Sequence, residues 1–366
     1  MNHLNNITIL ITTYNRYPYL LRVLRYYASY GFPARIIVLD SSFDPFPSEL
    51  REIKELLDHP AVEYRRFDSN TFITNKIYEG MKEVSTPYSV LCADDDFINP
   101  NALVPCMTFL ENHKDYSCAQ GLYVNHFLPS HPGNTFKKFF WSPLYVHAKD
   151  IPCGKPSQRL NYYFRHSGIS VFYAVYSTEL LRLIYKEAAR CTCDWDLSET
   201  LPLCLCMIHG KVKILPVFYS SREANSFRWV TVENLQEMLS NEKCELVIQC
   251  IAEHLQSVEG LNPEEALSIA RKNIGQYVKK SFDRFALSQK ESSRSALSIA
   301  ENSVFIKFVK KVFRFLLWRF YTLRYFLVFH FNFYPDLLRM KDCILQANID
   351  EDILNRIRKN YRDVVK

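Results

Sequence analysis

The chain has 366 residues, 48% hydrophobic and 23% charged, which suits a globular protein with a sizeable core and excludes a mainly disordered chain or a small disulfide-stapled scaffold. Its nine glycines form no G-x-G-x-x-G or G-x-x-x-x-G-K-[ST] string, which excludes glycine-rich phosphate loops of those two kinds. The net charge of +6 is matched by six cations between Ser303 and Tyr334 (Lys307, Lys310, Lys311, Arg314, Arg319, Arg324), a stretch without Asp or Glu, so a generally basic surface for nucleic acid is not indicated.

Met1–Asn6 has no basic n-region, and Thr8–Thr12 is too short and too β-branched for a signal core. The chain is therefore expected to begin and stay in the cytoplasm with its eleven cysteines reduced. Thr8–Thr12 predicts the first strand, and Asn15-Arg-Tyr-Pro18 opens a helix with proline in its first turn. Leu20, Leu21, Leu24, Tyr27 and Ala28 supply its apolar face, and Gly31 closes it. Ile36–Leu39 is the second strand, Glu49–Leu57 a helix, Val62–Arg66 the third strand, Phe72–Glu83 a helix and Tyr88–Ala93 a buried fourth strand. This rhythm predicts an α/β fold whose mainly parallel sheet carries helices on both faces. From about Asn125 to Gln158 the chain is rich in loops, Tyr162–Tyr176 reads as aromatic strand, Asp196–Ile208 as helix and Lys211–Tyr219 as strand. After about Trp229 the pattern is helical. The expected division is an α/β domain over 1–230, in halves of about 1–125 and 126–230, and a helical region over 231–366.

Ligands of such sheets bind beyond the carboxyl ends of the strands. There stand Thr12, Thr13, Tyr14 and Asn15 after the first strand, Asp40, Ser41 and Ser42 after the second, and Asp94, Asp95 and Asp96 after the fourth. Three consecutive aspartates repel one another, and a divalent cation resolves that conflict. Mg²⁺ or Mn²⁺ prefers carboxylate and phosphate oxygens and keeps one or two protein carboxylates, leaving room for a diphosphate. In extended chain Asp94 and Asp96 point the same way and can face one ligand. The competing explanation is a turn capping the helix that starts near Asn101, with Asn99 and Pro100 as cap and first-turn residues, but a cap accounts for one acid and not three. The pairs Cys191-x-Cys193 and Cys204-x-Cys206 lack the C-x-x-C spacing common in zinc knuckles and read as buried thiols. His126, His166 and His209 read as hydrogen-bonded structural residues.

The strings Ile9-Leu-Ile-Thr-Thr-Tyr-Asn-Arg16, Ile37-Val-Leu-Asp-Ser-Ser42 and Thr86-Pro-Tyr-Ser-Val-Leu-Cys-Ala-Asp-Asp-Asp-Phe97 resemble the N-terminal half of family 2-like bacterial glycosyltransferases, in particular a subgroup whose strand ends in "aDDDf". The resemblance implies the GT-A fold and transfer of a sugar from a nucleotide diphosphate donor to an acceptor hydroxyl. It also implies inversion, dependence on Mn²⁺ or Mg²⁺, and a place in bacterial surface polysaccharide or glycolipid synthesis. It assigns nucleotide-sugar binding to residues 1–125 and acceptor binding to 126–230. By it, Thr12 and Tyr14 hold the nucleotide base, Asp40 the base or ribose, Asp94 the ribose or metal, and Asp96 the metal. Asp40-Ser41 departs from the paired acid usual there. Lys76 falls where the family places a basic residue near the diphosphate, a solvated helix face being the other reading. The acceptor hydroxyl must lose a proton as it attacks, so a carboxylate base is needed. Asp194-Trp-Asp196-Leu-Ser-Glu199 resembles the position of the family's base. Asp196 and Glu199 share one helical face at i and i+3, so either serves as base, and a capping box is the other reading. Arg222, and Arg228 in Ser226-Phe-Arg-Trp229, fall where a basic aromatic motif contacts the diphosphate or acceptor, with surface arginine as the other reading.

Residues 303–334 mix the six cations with aromatic residues, and the longest charge-free stretch, Tyr325–Pro335, is about half of the roughly 20 residues a membrane span needs. An interfacial helix on anionic lipid fits this pattern, as does a helix packed on the protein. The first would hold the enzyme on the cytoplasmic face of the inner membrane, near a saccharide or lipid-linked acceptor. Two alternatives remain open: a sugar-nucleotide nucleotidyltransferase, which normally carries a glycine-rich basic loop where this chain has Thr-Thr-Tyr-Asn-Arg, and a non-catalytic membrane-associated binding module.

Overall fold

The computed structural model describes residues 3–43, 51–128, 140–144, 149–166, 170–192, 195–223, 242–297 and 339–341. After a short 3-10 turn at His3–Asn6, β1 (Ile7–Thr13) is buried along its whole length. Its side chains alternate between two cores: Ile7, Ile9 and Ile11 join one hydrophobic cluster and Leu10 the other. This is the period-2 pattern of a strand covered on both faces. β1 pairs in parallel with β2 (Arg35–Asp40) and with β4 (Tyr88–Ala93), and β2 pairs in parallel with β3 (Val62–Arg66).

Helices α1 (Tyr17–Ala28), α2 (Arg51–Leu57) and α3 (Ile73–Lys82) make the crossovers. Pro18 sits in the first turn of α1, and Gly31 takes the left-handed conformation, φ 67°, in the turn that ends it. After β4 come the two-residue β5 (Phe97–Ile98) and α4 (Pro100–Asn112). Asn99 caps α4 by accepting from Asn101 N at 3.1 Å, and its Nδ2 donates to Phe218 O at 3.1 Å. The expected cap is thus present, and it is Asn99 rather than an aspartate that provides it.

The second half adds β6 (Tyr116–Phe127), β7 (Phe140–Leu144), α5 (Pro156–His166), β8 (Val175–Ser177), α6 (Thr178–Cys191), α7 (Trp195–His209), β9 (Lys211–Glu223), α8 (Glu242–Glu259) and α9 (Pro263–Leu297). The nine-stranded sheet runs β3-β2-β1-β4-β8-β6-β9-β5, with β7 on β6. It is mixed: β6 and β9 pair in parallel, whereas β4–β8, β6–β8, β6–β7 and β5–β9 are antiparallel. Residues of α1, α2 and α4 pack on one face, and α3 with α5 to α9 on the other. Burial of each large apolar side chain is worth roughly 1.5–3 kcal/mol, so these two layers hold the strand ends in place.

The aromatic strand expected over 162–176 is corrected. Residues 156–166 form α5, because Leu160 and Phe164, spaced i and i+4, are buried on one helix face, and this outweighs the β-preference of the aromatic residues. Buried Arg159 fixes α5 in place by donating to the carbonyls of Met207 and Ile208 at 2.6 and 2.7 Å, at the end of α7. Among the described residues of the expected stretch, Val175 and Tyr176 are strand, the start of β8. The helical character expected after Trp229 appears as α8 and α9, whose buried residues from Cys244 to Val278 belong to the same core as Leu10 and Ile37.

Candidate active site

The carboxyl ends of β1, β2 and β4 meet in one polar network. Thr12 is buried in β1, Tyr14 is half-buried just beyond it, and the Tyr14 ring lies 5.6 Å from that of Phe43, which is 51% exposed. Asn15 adopts φ 55°, its N donates to Ser42 Oγ at 2.8 Å and its Oδ1 accepts from Phe43 N at 2.9 Å, so the loops after β1 and β2 are locked together. Asp40 is fully buried. Its Oδ1 accepts from Ser42 N and Oγ, and its Oδ2 from the hydroxyls of Tyr17 at 3.0 Å and Tyr64 at 2.7 Å. Lys76, on α3, is buried rather than on a solvated face, and its Nζ donates to Thr13 O at 2.7 Å and Ser41 Oγ at 3.0 Å. Burial lowers its ammonium to about 8, against the pull of Asp40 and Asp94.

The three aspartates divide between two arginines. Asp94 accepts from Thr13 Oγ1 at 2.7 Å and pairs with Arg16 at 3.0 Å, and Arg16 also reaches Asp95 at 2.6 Å. Asp96 accepts from Tyr173 Oη at 2.5 Å, Arg222 Nε at 3.1 Å and Glu223 N at 2.9 Å. Burial pushes the Asp94 carboxyl up to about 7, although Arg16 opposes it, and burial also raises Asp96, opposed by Arg222. Glu223 is anchored in turn: its carboxylate lies 2.5 Å from Arg22 of α1 and 3.7 Å from His126. Burial alone would raise Glu223, but Arg22 and His126 outweigh it and hold it well below the usual carboxylate range. Arg16, Tyr173 and Glu223 were not singled out from sequence; the only signal was Arg16's place at the end of the first motif.

Glu199 lies one turn into α7 on the wall of a cavity of about 200 Å³ lined also by Tyr163, Phe172, Tyr176, Tyr185 and Tyr277. Glu199 is exposed to solvent, while the packing around it raises its carboxyl, with Arg222 opposing the shift. Arg222 therefore interacts with both Asp96 and Glu199. Asp196 is in the first turn of α7, but its side chain lies outside the described residues, as do Arg228, Asp194 and the ring of His166. His126 and His209 are structural: His126 Nδ1 is 2.8 Å from Ser221 Oγ, and His209 Nε2 is 3.0 Å from His254 Nδ1.

Asp94 and Asp96 are two buried carboxylates, two positions apart, that offer oxygen donors only. That is the chemistry of Mg²⁺ or Mn²⁺, and Asp94 and Asp96 fit such a cation.

The α/β sheet, covered on both faces and with an acid cluster beyond β4, has the GT-A arrangement. Residues 8–180 match the family Glycosyl transferase family 2. Among solved structures, that of S. aureus TarS 1-349 is similar at 13% identity, covering 75% of this chain and 72% of that chain with a TM-score of 0.50. The structure of S. aureus TarS 1-349 in complex with UDP-GlcNAc gives 13% identity, 75% and 73% coverage and the same TM-score of 0.50. No curated protein matches the sequence.

Proposed function

We propose that the protein transfers a sugar from a nucleoside diphosphate donor to an acceptor hydroxyl with inversion, using Asp94 and Asp96 to hold Mn²⁺ or Mg²⁺ and Glu199 as general base. The observation that carries this reading is that Lys76, Thr13 and Arg16 gather around Asp94, and Arg222 around Asp96, on adjoining residues beyond the strand ends, with Glu199 in electrostatic reach of Arg222. The S. aureus TarS complex with UDP-GlcNAc supports the donor class. When bound, the cation supplies Lewis-acid stabilisation of the charge that develops on the diphosphate.

The chain's own residues do the rest. Tyr14 and Phe43 offer two ring faces at the mouth, where a nucleobase stacks beside Thr12. Asp40 holds Tyr17, Tyr64 and Ser42 in position around that pocket, and this is how it contributes to base or ribose binding. Lys76 and Arg222 add positive charge for the diphosphate, and Arg228 is assigned to the same task. Glu199 takes the proton of the acceptor hydroxyl as its oxygen bonds to the anomeric carbon. The bond from that carbon to the diphosphate breaks with its electron pair leaving on the phosphate oxygen, and Asp196 orients the acceptor. A raised carboxyl suits this task, because a base is most effective when its pKa approaches the working pH. The acceptor is a saccharide or lipid-linked saccharide, brought close where residues 303–334 rest on anionic lipid.

A thermal-shift series with UDP-, GDP-, CDP- and dTDP-sugars, with and without Mn²⁺, tests the proposal. One nucleotide class should raise the melting temperature in a metal-dependent way, and Asp96→Asn should abolish the metal-dependent part. Absence of any nucleotide response from the folded wild type would contradict it.

A further inference from the structure

A second group of metal-binding side chains lies away from the strand ends and does not depend on the reaction proposed for them. Glu187 and Cys191 on α6, and Cys250 and His254 on α8, are each spaced i and i+4, so each pair shares one helix face. Ligand atoms of Glu187, Cys250 and His254 all lie within 4.8 Å of one another. Cys250 Sγ is 3.8 Å from Glu187 Oε2, and Cys191 stands one turn from Glu187 on α6. Both cysteines are buried, at 3% and 1% exposure. The surroundings have the form of a supporting shell. His209 Nε2 is 3.0 Å from His254 Nδ1, which leaves Nε2 of His254 as its ligand atom, and Arg190 holds Glu187 at 2.8 Å.

We propose that Glu187, Cys250 and His254, with Cys191 drawn in from one turn away on α6 as the fourth ligand, form a zinc site that ties α6 to α8. Two thiolates, an imidazole and a carboxylate are a tetrahedral zinc set, and thiolate ligands disfavour the Mg²⁺ or Mn²⁺ of the strand-end site. Binding releases the two thiol protons to solvent. Three anionic ligands on a dication leave one negative charge, which Arg190 neutralises. The thiols are not grouped by sequence spacing: Cys206 lies 3.5 Å from Cys118 of β6.

The test is zinc content and cobalt spectroscopy of the full-length protein purified without chelator. About one zinc per chain is expected, and after exchange Co²⁺ should give the thiolate charge-transfer band and intense visible bands of a tetrahedral site. Both should disappear in Cys250→Ser and in His254→Gln, the second being a half-buried position where circular dichroism can show that the fold survives. His209→Ala should weaken metal binding about 10–100-fold. Cys204→Ser, which removes a buried thiol outside the cluster, should leave the metal in place. A folded wild type without the cobalt bands, unchanged bands in His254→Gln and Cys250→Ser, or isolation of a Cys191–Cys250 disulfide under reducing conditions would overturn the proposal.

Discussion

Arg16 and Arg222 allow three adjacent aspartates to coexist. Their contacts with Asp95 and Asp96 span 79 and 126 positions in the chain, so the sequence displays the acids and hides their partners. For the same reason Asp94 and Asp96 stand out in the sequence from their place after a buried strand, whereas Tyr173 and Glu223 do not. Glu199→Gln should lower kcat about 10²-fold to 10⁴-fold with donor affinity retained, measured by steady-state kinetics and nucleotide titration. Undiminished turnover would move the base elsewhere. The working base is the ionised form, so activity should rise with pH through a value above the ordinary glutamate range and fall as pH drops through it. In the same window the folded state keeps a proton that the unfolded chain has lost, so this carboxyl subtracts stability as pH rises from the unfolded pKa through the raised folded one. Thermal melts across that window should therefore show Glu199→Gln gaining on the wild type as pH increases, by a small margin because the carboxyl is exposed to solvent. Glu223→Gln should act in the opposite direction: it leaves the buried Arg22 charge without its anion, at a cost of about 3–5 kcal/mol readable in urea unfolding. An unchanged unfolding midpoint would show that the pair does not hold the end of β9.

At the scale of elements, hydrophobic periodicity recovered β1 to β4 and the helices between them because each is a local pattern with a clear stop. α5 was misread because its aromatic residues resemble strand material, and its helical face is defined by what packs on it rather than by propensity. β6, which pairs with β9 along most of its length, took no part in the sequence-based reading, and its partner begins only after α7. Gly210, between α7 and β9, shows how close that approach is: a Cβ there would stand 2.4 Å from Ser117 N and 2.9 Å from Ser117 Cα, both backbone atoms. Gly210→Ala should destabilise the fold by roughly 1–3 kcal/mol, since backbone cannot yield as a side chain can. Chemical denaturation checks this, and a cost near zero would mean that β6 and β9 separate easily at this end.

For the whole molecule, no helix among the described residues is long and apolar enough to cross a membrane. The basic aromatic segment 303–334 lies outside the described residues, so its role is argued from sequence. Each cation near an anionic surface is worth about 1 kcal/mol, and six of them should sediment the protein with anionic vesicles at low salt and release it as salt rises. Neutral vesicles, or a variant with Lys307, Lys310, Lys311 and Arg314 as Gln, should bind far less. Equal binding to both lipid types would make the segment a packing helix. The central claim concerns the strand-end acids, and it is tested most directly by nucleoside diphosphate release from a nucleotide sugar, measured for wild type and Asp96→Asn with Mn²⁺ and with excess chelator. The expected result is release by the wild type only when the metal is present, and none by Asp96→Asn, whose circular dichroism matches the wild type. Equal release by the variant, or by the wild type in chelator, would contradict the account.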